Sequence, residues 1–353
     1  MMRRKHWVIA VAVPLLLVAG DIIYWRIAAE RLRTGFQLWL TEQTARGWDC
    51  GSAALSIGGW PRAATVTVPK LTLHHGGSVV PGEMTVAADG ITLSVSLFRP
   101  TTLRLALIAP LHVRVGSAPE VIVTSDEASV SLPLRQTGPL SLGLHASLLR
   151  LQPATGAWQA TVGLLNAEME ITADAGADQS EPAATFAIAS ESIVLPTGAL
   201  GTGIKWPLGS TISSLSVEGA LNGTLPATRD IKGWAEAWRD GGGSLEIKHL
   251  AIGWGPLGLT SAATLALDEQ LQPMGSGSGR IVGYAETLDR LAAGGKLTKS
   301  AATAAKAVLS LMAGTARADE PSSVDVPLTL QYRTLSMRQV PLVRLPELDW
   351  PAR

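Results

Sequence analysis

From residue 52 onward apolar side chains return at every second position, and this period of two restricts the fold more than any other feature of the chain. Ala64, Val66 and Val68 alternate with Thr65 and Thr67. The same rhythm runs through Ile91-Leu93-Val95-Leu97, Leu103-Leu105-Leu107, Leu111-Val113-Val115, Val130-Leu132-Leu134 and Leu140-Leu142-Leu144. It returns at Leu215-Val217, Leu245-Ile247, Leu265-Leu267 and Val324-Val326-Leu328-Leu330. Successive side chains of a strand point to opposite faces, so these segments carry one apolar face and one of Thr, Ser and Arg. Turn-forming clusters such as HHGGS, ADG, GSAPE and LNGTLP separate them. The pattern predicts a mostly β protein, β-rich α+β in class, with a curved antiparallel meander and a few short helices.

Parity changes within one of these runs. After Pro69 the apolar positions move to Leu71 and Leu73, which implies a bulge or bend. At the start of the same strand, GGWPRAATV places Trp60-Pro61 where the proline sets the approach and the indole is expected to cover the end of the apolar face. Several of the 11 tryptophans stand at element boundaries in this way, Trp48, Trp206 and Trp254 among them. They read as plugs at sheet corners; an interfacial, lipid-facing role is the competing account.

Helical spacing is confined to four places. Arg3, Arg4 and Lys5 precede an apolar run from Trp7 to Trp25 broken only by Asp21. As a helix that run covers roughly 28 Å, close to the thickness of a bilayer core. It predicts a single membrane span at 1–25, with Val18-Ala19-Gly20 leaving a cleaved signal peptide as the alternative. Trp25, Ala28, Leu32, Phe36 and Trp39 then continue at spacings of three and four, with Arg26 and Glu30 placed to pair and Gly47 as the C-cap. The helix is therefore expected to leave the membrane as an amphipathic segment, 26–48, ahead of a β-rich domain at 49–353, with 49–227 and 228–353 as possible sheet units. Shorter helices are predicted in 228–243, 284–295 and 297–318, the last with an apolar stripe of Ala304, Val308, Leu311 and Met312. DQSEP (178–182) reads as a loop and ADEPSS (318–323) as a linker before a final hairpin.

Candidate chemistry is sparse. Lys and Arg number 29 and Asp and Glu 29, so no net field draws nucleic acid. A single cysteine, Cys50, excludes an internal disulfide and a cysteine zinc cage. GWGPLG (253–258) has dinucleotide-type glycine spacing, but strand-period leucines follow it instead of a helix, so it reads as a turn. GSGSGR (275–280) and GGKLT (294–298) read as loops without phosphate-binding spacing. His74 and His75 are neighbours on a strand and must face opposite ways; the histidines are expected at the surface or at strand ends. Asp126-Glu127 and Asp268-Glu269 read as turn carboxylates. No catalytic, cofactor-binding or metal-binding residue is singled out, and an enzyme is not expected.

Taken together, the basic-apolar start, ERLRTGFQLWLTEQTARGW (30–48), GGWPRAATV (58–66), WAEAWRDGGGSLEIKHLAIGWGPLGL (234–259), ALDEQLQPMGSGSGRIVGY (266–284) and LSMRQVPLVRLPEL (335–348) resemble an uncharacterised bacterial family, domain of unknown function 2125. The family implies no catalytic residues. Its layout is similar to AsmA-like proteins, which pair an inner-membrane anchor with periplasmic β-sheet and are linked to lipid movement. The resemblance implies an inner-membrane, single-pass protein with most of the chain in the periplasm and phospholipid as the candidate ligand. The alternative is a membrane-anchored scaffold whose apolar sheet face is only its core.

Overall fold

The computed structural model of the 353-residue chain describes residues 2–77, 82–98, 100–134, 139–172, 181–196, 206–226, 230–313, 323–337 and 340–350; for 2–14, 77, 82, 340 and 342 it describes the backbone alone. Strand makes up more than half of the described residues, and the strand pairings are antiparallel, as the period of two requires. Residues 1–135 with 153–155 form one compact unit, and 136–152 with 156–353 form another. The division considered at 227 and 228 falls outside the described residues, as do 178–180 of the expected loop and 318–322 of the expected linker.

In the first unit, helix α1 (Met2–Ala45) precedes β1 (Trp48–Gly51), β2 (Ser56–Gly58), β3 (Ala63–Gly77), β4 (Gly82–Ser96), β5 (Thr102–Val115), β6 (Val121–Thr124) and β7 (Glu127–Pro133). Strands β1 and β2 share one edge of β3, β4 lies between β3 and β5, and β6 and β7 divide the far edge of β5. Register puts Val66, Leu93, Leu105 and Val130 in one row, and Val95, Leu103 and Leu132 in the next, all on one face. The other face carries Thr65, Ser94, Arg104 and Ser131.

Helix α1 lies on the apolar face through the stripe the sequence marks. Ala29 and Phe36 are buried, and Phe36, with Leu32 and Leu40 beside it, packs on Val66, Val68, Leu71 and Leu93. Gly47, at a φ of 91°, ends it in the left-handed region where a Cβ would be strained. Glu30 reaches Arg33 at 3.8 Å and not Arg26, so the expected i,i+4 pair is replaced by an i,i+3 pair. Among the described residues no helix is long and apolar enough to cross a membrane. Of the expected span, Trp7 to Pro14 lies outside the described side chains; from Leu15 onward Leu16, Leu17, Ile22, Ile23 and Ile27 are exposed.

The parity change at Pro69 is a crease shared by three strands. Lys70, at a φ of 51°, is the extra residue of β3, and Asp89 is skipped opposite it. On β5, Ala109-Pro110 is looped out between Ile108 and Leu111. Each strand gains residues at one level, so Leu71, Ala88 and Leu111 return to the apolar face occupied by Val68, Ile91 and Leu107.

The second unit is a continuous meander of β8 (Leu140–Pro153), β9 (Ala160–Ile171), β10 (Ala184–Val194), β11 (Thr211–Asn222), β12 (Ser244–Trp254), β13 (Leu257–Leu267), β14 (Pro273–Val282), β15 (Ser323–Gln331), β16 (Thr334–Met337) and β17 (Val340–Arg344), each paired with the next. A second crease, through Leu148, Gly163, Ser192 and Ser213, interrupts the alternation of β8 to β11. Helices α2 (Ile231–Asp240), α3 (Tyr284–Ala293) and α4 (Lys299–Ala313) occupy the three expected segments. Asp230 caps α2 by accepting from the Gly233 amide.

In this unit the core around Tyr284, Val324 and Val326 takes in Leu309, Met312 and Ala313 of α4. Of the expected α4 stripe only Met312 packs there; Val308 and Leu311 are exposed. The GSGSGR segment is not a loop but part of β14, where absent side chains let β13 approach: a Cβ at Gly275 would lie 2.1 Å from the Thr264 carbonyl oxygen. GWGPLG is the expected turn, joining β12 to β13.

Candidate functional site

The register row of the first unit shows how the site arises. Val66 on β3 is fully buried and Leu93 on β4 is 5% exposed, whereas Val130, in the same row on β7, is 37% exposed. One helix about 10 Å across cannot cover a sheet this wide. α1 therefore closes over β3 and β4 and leaves β5 and β7 flanking an open groove. Its cavity, about 810 Å³, is bounded on the helix by Tyr24, Ile27, Ala28, Arg31, Leu32, Gly35, Phe36 and Trp39. Across from them lie Ile91, Leu93 and Val95 of β4, Leu103 and Leu105 of β5, and Leu132, with Pro100 and Leu134 at the end of the sheet. The size suits a small apolar ligand, since such sites span roughly 300–1,000 Å³.

Two features of α1 shape the groove. Gly35 has no atom within 4 Å of where its Cβ would be, so its lack of a side chain leaves the groove wide between Leu32 and Trp39. Arg31 is the charged lining residue, is exposed, and has no ion-pair or hydrogen-bond partner among the described residues. It would meet an anionic group at the water-facing margin of an otherwise hydrocarbon surface.

The GGWP loop fastens α1 to the sheet. The Trp60 indole donates to Asp21 Oδ2 at 3.0 Å, and the Trp25 indole donates to the Gly58 carbonyl at 3.1 Å. Trp60 does not cover the apolar face as expected; it is 46% exposed and spends its N–H on the helix. Elsewhere the indoles act as corner clasps: Trp206 donates to Pro196, Trp238 to Asn222, Trp254 to Gly209 and Trp350 to Leu271.

The opposite face of the first unit is polar and tied by ion pairs. Glu120 faces His112 Nδ1 at 2.6 Å and accepts from Arg114 at 2.7 Å. The hydrogen bond with His112, then that from Arg114, holds the Glu120 carboxyl below its ordinary range. Arg104 pairs with Glu127, which begins β7 and so is a strand residue rather than a turn carboxylate. His74, half exposed beside Thr85, and His75, buried against Trp48, face opposite ways as the strand dictates, but His75 is a core residue and not a surface one. Among the described residues no group of three or more His, Cys, Asp or Glu could hold a metal ion.

Sequence spacing brings out Trp25, Ala28, Leu32, Phe36 and Trp39, and the structure gathers all but Trp25 at the groove. It does not single out Arg31, Gly35 or the Leu132 edge. Gly35 carries the local signal, a helix-weakening residue retained amid strong helix formers.

These features define a class: an antiparallel meander whose apolar face is partly roofed by an N-terminal helix. The chain belongs to the family described as an uncharacterized protein conserved in bacteria (DUF2125), which matches residues 25–346. No curated protein and no solved structure matches it.

Proposed function

We propose that this chain is a non-enzymatic, lipid-binding protein of the bacterial cell envelope, tethered to the inner membrane by the start of α1, with most of its mass in the periplasm. The groove takes the acyl part of a phospholipid and Arg31 meets its phosphate. The observation that carries this reading is the apolar row whose cover runs out between Leu93, buried beneath α1, and Val130, exposed at the sheet edge, with Leu93 and Leu105 lining the cavity. Exposing a sixteen-carbon chain to water costs on the order of 12 kcal/mol at about 0.8 kcal/mol per methylene, so carrying one needs such a surface. The likeness in layout to AsmA-like proteins rests on the sequence pattern alone. A scaffold whose apolar face is only core accounts for the part of the sheet under α1 and leaves the β5–β7 side unexplained.

The test is photocrosslinking of the full chain in vesicles of phosphatidylethanolamine and phosphatidylglycerol, with a diazirine on the acyl chain. Adducts are expected on Leu93 or Leu105, inside the groove. Adducts confined to residues 15–23 would show lipid around the helix only and overturn the proposal.

A further inference from the structure

Three segments of the first unit reach the same end of its sheet. The turn at 59–62 meets the end of β4, where the Leu97 amide donates to the Arg62 carbonyl at 3.1 Å. Leu134 joins them, its amide donating to the Thr101 carbonyl at 2.9 Å. The bonds from Trp60 to Asp21 and from Trp25 to Gly58 place this end beside the turns of α1 that close its apolar run. Large apolar side chains stand out here: Phe98 is 82% exposed, Tyr24 45% and Leu134 42%. Arg26 and Arg62 are exposed beside them and have no ion-pair partner among the described residues. Pro100, Leu134 and Tyr24 also bound the groove, so the patch is its rim.

We propose that this end of the sheet rests on an anionic lipid surface, with Phe98 and Trp60 among the headgroups and Arg26 and Arg62 against phosphates. The inference deepens the membrane-tethered reading and rests on it. Three arguments favour a bilayer as the occupant. Exposed apolar residues of α1, from Leu15 to Ile27, run directly into the patch, so whatever covers them covers it too. Aromatic side chains with apolar bodies favour the headgroup level, and basic residues there gain from anionic lipid. Asp21, about 6 Å of helix rise before Trp25, accepts the Trp60 N–H, the kind of partner a carboxylate beside the headgroup boundary needs. The groove would then open where lipid is held, and an acyl chain could pass from leaflet to sheet without crossing water.

The experiment uses the full chain with Cys50→Ser and a spin label at Phe98→Cys, in vesicles of phosphatidylethanolamine and phosphatidylglycerol. A second labelled variant, Ser117→Cys, serves as reference, since Ser117 is exposed in the β5–β6 turn, at the far end of β5 from Phe98 in the same unit. The label at 98 is expected to relax more with oxygen than with a water-soluble nickel chelate, and the label at 117 the reverse. Adding Arg62→Glu is expected to shift the label at 98 toward water. Equal nickel accessibility at 98 and 117 would overturn the docking, and lipid adducts at Leu105 in that same preparation would leave the groove reading standing. A buried label without such adducts supports the docking and removes the groove.

Discussion

Gly35 offers a perturbation in which stability and ligand binding should move in opposite directions. It lies in the interior of α1, faces the groove, and has open space where a Cβ would go. Glycine in a helix interior is about 0.8–1.0 kcal/mol less favourable than alanine, so Gly35→Ala should stabilise the chain by about that much. In a unit of this size that corresponds to a rise of roughly 2–4 °C in the unfolding midpoint. Gly35→Phe retains only part of the helix gain and must place its ring, and helical rotamers direct it back over the turn of Arg31 and Leu32, into the groove. If the ring displaces about two to four methylenes of ligand, at about 0.8 kcal/mol each, the loss is roughly 1.6–3.2 kcal/mol. That is roughly 15- to 200-fold in affinity. The assay pairs thermal unfolding with acyl crosslinking at Leu105 across a lipid titration. A Gly35→Phe protein that folds as well as the parent and labels Leu105 at the same lipid concentration would refute the placement of lipid in the groove. A Gly35→Ala protein that unfolds earlier would refute the open space at this position.

Three other outcomes are expected. Glu120 has a lowered pKa in the fold, so its contribution is complete above its ordinary value of 4.5 and is lost as pH falls through the folded value; unfolding midpoints between pH 6 and pH 3 should therefore fall more steeply in the parent than in Glu120→Gln. Trp60→Phe keeps the apolar ring but removes the bond to Asp21, and should cost about 1 kcal/mol, read as faster amide exchange in the turn of α1 around Trp25. Gly275→Ala should destabilise by about 1–3 kcal/mol because its Cβ meets a backbone oxygen, whereas Gly279→Ala, with its nearest contact at 3.5 Å, should be close to neutral by denaturant titration.

The alternation in residues 52–345 made most of the strands legible, and the flip at Pro69 made the first crease so. Strands β9 and β10 were not legible, because the second crease cuts their alternation at Gly163 and Ser192 into pieces too short to read. GSGSGR was misread for a related reason: its glycines occupy alternate strand positions and imitate a loop composition, and only the approach of β13 explains them. The helix stripe from Leu32 to Phe36 announced a buried face, yet nothing local shows that the sheet beneath extends past the helix to β7. A groove left by a mismatch in widths is a property of the assembly, visible only when strands from residues 63 to 133 are set side by side. Trp60 failed as a corner plug because its partner, Asp21, lies 39 residues away.

The first crease also limits how the gene for such a sheet can change length. Deleting Lys70 alone would leave β3 alternating regularly beside a β4 that still holds Asp89, and Leu71 would slide opposite that aspartate instead of Ala88. Losing Ala109-Pro110 alone would set β5 out of step with β4 in the same way. Insertions and deletions at this level should therefore survive only when all three strands change together, so related chains are expected to keep or discard these residues as a set.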